Sequence, residues 1–164
     1  MATDRLPPDV FGKLLFKFLV EAQSDLLKEP FSKSLQDIRL PLQEVVAEFV
    51  AIRWLAIDFG ITKAFGYGTA RSALLDPFLD CIHETFPPEY EEFLGQRVCY
   101  YAGVLNNATV DPFLEIGGAF SDLLWPEENA SESQLNGALV LGGTEFSSTL
   151  HFVQELLRAV EIVW

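Results

Sequence analysis

Residues 42 to 59, LQEVVAEFVAIRWLAIDF, constrain the fold more than any other part of the chain. Set on a helix, the stretch is apolar on most sides. Its polar side chains fall on one stripe, Glu44, Glu48 and Asp58, continued by Thr62. A helix of this kind must be covered by others, so it is expected at the centre of a bundle, with Gly60 as its stop. Arg53 alone breaks the pattern. Its helical neighbours are Phe49, Val50, Ala56 and Ile57, all apolar. A guanidinium buried there requires a carboxylate from another helix, fixing register, or else it is a ligand-binding group at the floor of an apolar pocket. Snorkelling to the surface is the third option.

The remaining segments read as helices that could do the covering. A first helix, about residues 8 to 28, carries Val10, Leu14 and Phe18 opposite Lys13, Lys17 and Glu21. SKSLQDIR suits a short helical turn before Pro41. After the GYG turn at 66 to 68, TARSALLDPFLDCIHETF gives a third helix, and PEYEEFLGQRVCYYAGVLNN a fourth with acids in its first turn. Asp111 and Pro112 open a fifth, which stops at Trp125 and Pro126. PEENASESQ reads as an acidic loop, and Ser131 with Gln134 has capping-box spacing for a short helix ending at Gly142. A last helix carries Leu150, Val153, Leu157 and Val160 to the C-terminus. NGALVLGG could be a strand, but it has no strand partner in the pattern. The expectation is an all-α, single-domain bundle of six to seven helices spanning residues 1–164.

Charge is unevenly spread. Of the net −13, residues 1 to 82 hold nine Lys/Arg against eleven Asp/Glu, whereas residues 83 to 164 hold only Arg97 and Arg158 against thirteen acids. Such a field repels phosphate backbones and anionic lipid and attracts cationic surfaces, so nucleic acid and membrane are not expected partners. The longest uncharged stretch, residues 98 to 110, is well short of the roughly 20 residues that span a bilayer. With acids and prolines in place of a signal peptide, the chain is expected to be cytoplasmic. Cys81 and Cys99 have no metal-ligand spacing and read as small core residues.

Motifs for chemistry are thin. Asp80, His83 and Glu84 on the third helix are metal-ligand types, but HExxH fails at Pro87, and the second acid-x-x-His pair of a di-iron bundle is missing because Ser148 stands three before His151. GYGTAR follows a helix and lacks the Lys-Ser/Thr of a phosphate loop. No GxSxG elbow occurs. No cofactor, metal or catalytic residue is therefore expected. On the fourth helix Tyr90, Phe93, Arg97 and Tyr101 share a broad face of the composition that interface centres favour. The reading is an acidic helical protein-interaction module, homo-oligomeric as a dimer, that meets a basic protein partner. The alternative is a helical-bundle ligand binder or enzyme with Arg53 in its pocket.

Overall fold

The computed structural model describes residues 4–26, 28, 33, 42–125 and 130–164. Among these residues the protein is an all-α bundle of seven helices: α1 (Pro8–Val20), α2 (Ala22–Leu26), α3 (Leu42–Phe65), α4 (Thr69–Thr85), α5 (Pro88–Asn106), α6 (Pro112–Leu124) and α7 (Glu132–Ala159). The apolar α3 is the axis, and every other helix packs against it. Phe49, Ile52, Leu55, Ile57 and Ile61 are buried on its different sides. Burial of each such side chain stabilises by about 1.5–3 kcal/mol, so apolar packing rather than charge carries the fold.

Capping chemistry explains several boundaries. The Asp111 carboxylate accepts the Phe113 N–H at 2.8 Å and starts α6, and Ser131 with Gln134 forms a complete capping box at the start of α7. Two proline turns, at Pro7–Pro8 and Pro87–Pro88, begin α1 and α5.

Glycines account for two corrections to the sequence reading. Gly60 does not end α3; it faces α7, where a Cβ would meet Val153 Cγ1 at 2.9 Å. The helix runs on to Phe65 and stops at Gly66, whose φ of 68° only glycine adopts without strain. Gly142 does not end a short helix either. The expected short and final helices are one element, because Gly142 lies under the Phe120 ring and Gly117 under the Leu139 carbonyl, letting α6 and α7 cross at backbone distance. NGALVLGG is thus helical.

At its other end the last helix is shorter than expected. Val160–Ile162 forms strand β2, paired in parallel with β1 (Asp4–Leu6) in the register Asp4–Val160, Arg5–Glu161, Leu6–Ile162. The β-branched run Val160, Ile162 and Val163 favours extended backbone, but its partner lies at the opposite end of the sequence. The predicted first helix breaks at Glu21, and the short α2 turns Asp25 toward α3. The predicted turn at SKSLQDIR lies outside the described residues apart from Lys33, as do residues 126–129 of the acidic loop.

Candidate functional site

Two charges of opposite sign, Arg53 and Glu48, are buried five residues apart on α3 and so face different neighbours. Arg53 is 3% exposed. Its Nε donates to Glu145 of α7, Nη2 to Asp25 of α2 at 2.8 Å, and Nη1 to the Phe18 carbonyl at 2.8 Å. The guanidinium lies 4.6 Å from the centre of the Phe18 ring, which is itself stacked on Phe152. Lys28 reaches the other Asp25 oxygen at 2.7 Å. Glu145, Arg53, Asp25 and Lys28 thus alternate in sign and sum to zero.

The two acids of this chain respond differently to the same guanidinium. Burial outweighs Arg53 at Glu145, whose side chain is 5% exposed, and pushes its carboxyl above the usual range. Burial also acts on Asp25, but at 29% exposure it loses to Lys28 and Arg53, which hold that carboxyl below its ordinary value. A cavity of about 270 Å³ opens beside the chain, walled by Phe18, Phe152 and Ser148. Arg53 therefore has the carboxylate partners expected from other helices and also lies at a cavity, but each of its three nitrogens already donates to a protein oxygen.

Glu48 faces α5. Its Oε2 accepts the Tyr101 hydroxyl at 2.8 Å, and Arg97 Nε lies 2.9 Å from Oε1. That approach is an ion pair without hydrogen-bond alignment, and Arg97 Nε is buried without a hydrogen bond. The guanidinium sits over Phe93, 5.1 Å from the ring centre. Burial pushes the Glu48 carboxyl up despite Tyr101 and Arg97, and raises the Tyr101 hydroxyl far above its usual value. Farther along α3, Asp58 and Thr62 are taken by Arg71 of α4. The polar stripe is thus divided between two neighbouring helices.

The four predicted interface residues on α5 do not share one surface. Tyr101 is a correction: it is fully buried, because its phenol is the donor that Glu48 needs. Tyr90 is half-buried between Phe86 and Phe93. Phe93 and Arg97 line a second cavity. Asp80, His83 and Glu84 are all exposed, and His83 approaches Glu91 of α5 at 3.2 Å rather than its helix neighbours. Among the described residues no three His, Cys, Asp or Glu side chains gather as a metal site. The cysteines are also corrected: Cys81 is half-buried and Cys99 exposed, since both lie toward the outer sides of their helices.

The Glu48 cluster is not anticipated when Glu48 is read only as one position of the polar stripe on the central helix. The signal existed. An acid inside an otherwise apolar helix needs a partner by the same reasoning as Arg53, and Arg97 with Tyr101 one turn later supplies it. Among the described residues no helix is long and apolar enough to cross a membrane. No family model matches the chain, and neither a curated protein nor a solved structure does.

Proposed function

We propose that the protein is a helical interaction module whose α4–α5 face docks a basic protein partner. The observation that carries this reading is a run of exposed carboxylates, Asp76, Asp80 and Glu84 on α4 with Glu89 and Glu92 on α5, none ion-paired to Lys or Arg among the described residues. Asp76, Asp80 and Glu84 recur every four residues and so share one side of α4, with the exposed Leu79 beside them as an apolar contact. Unpaired like charges on a surface cost stability through mutual repulsion, and a cationic partner relieves that cost.

The test is affinity capture with wild type and an Asp76→Asn, Asp80→Asn, Glu84→Gln, Glu89→Gln variant. Wild type should retain strongly basic proteins that the variant releases and that added salt weakens, with both chains equally folded by circular dichroism. Retention of the same proteins by both chains would refute the docking face. Self-association belongs to the same reading: exposed Tyr100, Val110 and Leu114 offer apolar surface around the α5–α6 connection. Light scattering at micromolar concentration should give a dimer, and a clean monomer would remove that part.

A further inference from the structure

The cavity beside Arg97 is unlike the one beside Arg53. It has a volume of about 290 Å³, at the small end of ligand pockets, and lies between α3, α5 and α6. Ala47, Phe93, Leu123 and Leu124 give it apolar walls, and Gln43 adds an amide. Arg97 provides its cation, with a side chain 32% exposed. Arg53 shows how this fold completes a guanidinium: two carboxylates and a carbonyl, approaching from three directions. Arg97 has one carboxylate, Glu48, held off hydrogen-bond alignment, and a ring beneath it. Its terminal N–H groups have no protein acceptor among the described residues.

We propose that this cavity binds a small organic carboxylate with an apolar body. The carboxylate would take the open edge of Arg97 in the two-pronged geometry that guanidinium favours, and the apolar body would lie against Phe93, Leu123 and Leu124. Alternation of charge would then run Glu48, Arg97, ligand, as it runs Glu145, Arg53, Asp25, Lys28 on the other side of α3. Glu44 at the rim opposes this, but it is exposed and its charge is screened by water, whereas Arg97 acts at contact distance in a partly desolvated site. The proposal is independent of the basic-partner reading, since it uses a cavity lined by none of the five docking carboxylates and the opposite ligand charge.

The experiment titrates the protein with hexanoate, benzoate and the matching neutral amides, following the Arg97 Nε–H resonance and backbone shifts by NMR. Fragments of this size should bind at about millimolar concentration, the carboxylates at least about tenfold tighter than the amides. Arg97→Lys, which keeps a cation for Glu48, should weaken the carboxylates. Ala47→Leu, which fills the cavity without touching the ion pair, should abolish binding. Glu44→Gln should tighten it roughly two- to fivefold by removing the opposing charge. A short peptide ending in leucine carboxylate distinguishes the other source of the same chemistry: it should bind no tighter than hexanoate. A peptide that binds tenfold tighter, amides that match the acids, or unchanged affinity in Ala47→Leu would each overturn the assignment.

Discussion

Arg53 and Arg97 meet carboxylates across the same central helix, and both lie over a phenylalanine ring, yet they are finished to different degrees. Arg53, buried at 3% exposure, has two carboxylates and a carbonyl. Arg97, a third exposed, has one carboxylate and otherwise faces a cavity. Desolvation explains the difference. A guanidinium cut off from water cannot persist without protein acceptors, so the fold supplies them from α1, α2 and α7. One that still touches water can leave part of its hydrogen bonding to whatever occupies the cavity. A closed cluster fixes register; an open one leaves chemistry for a ligand.

The comparison breaks most visibly at its closed end. Arg53→Met strands the buried Glu145 and leaves Asp25 to Lys28 alone, and should cost about 3–5 kcal/mol in urea unfolding, enough to compromise the fold. Arg53→Lys keeps the charge but loses the planar fork, so it should cost less. Tyr101→Phe deprives Glu48 of its buried donor and should cost about 1–3 kcal/mol. Arg97→Met should cost about 1 kcal/mol, because Arg97 is a third exposed and partly screened by water, and the buried Glu48 can take up a proton once its cation is gone.

The smallest effect concerns pH. Glu48 and Glu145 have folded-state carboxyls raised above 4.5, so the folded chain binds their protons more tightly than the unfolded chain. Stability from these groups is present at low pH and is lost as pH rises from the ordinary carboxylate range through their raised values. Asp25 has the opposite sign, and its contribution is lost only as pH falls through a value below 3.8. Acidification from neutral toward the ordinary carboxylate range should therefore raise the melting temperature, and Glu48→Gln should flatten that rise relative to wild type. An identical slope in both chains would mean that Glu48 is not held in the protonation balance described.

Much of this was legible in the sequence and some was not, for physical reasons. The central helix and the need for acids around Arg53 followed from periodicity and the cost of burying a charge. So did the starts of α5 and α6, where caps and prolines act within a few residues. The choice of Asp25 and Glu145 among the acids did not, because it depends on a break at Glu21 and on the close α6–α7 crossing that Gly117 and Gly142 permit. The β1–β2 pair joins residues at opposite ends of the sequence, so no local pattern reveals it. Gly60 and Gly142 look like stops in the sequence because it displays a missing Cβ and not the neighbour that occupies its place.

Whether Arg53 is a completed structural node is tested most directly by rescue. Urea unfolding of wild type, Arg53→Met and the triple variant Arg53→Met, Glu145→Gln, Asp25→Asn compares the cost of removing the cation with and without the acids it neutralises. The single variant should lose about 3–5 kcal/mol, and the triple variant should recover most of that loss because no buried charge is left unpaired. If Arg53→Met alone unfolds within about 0.5 kcal/mol of wild type, and a carboxylate or phosphate raises the melting temperature of wild type only, Arg53 is a ligand-binding residue and the distinction between the two arginines fails.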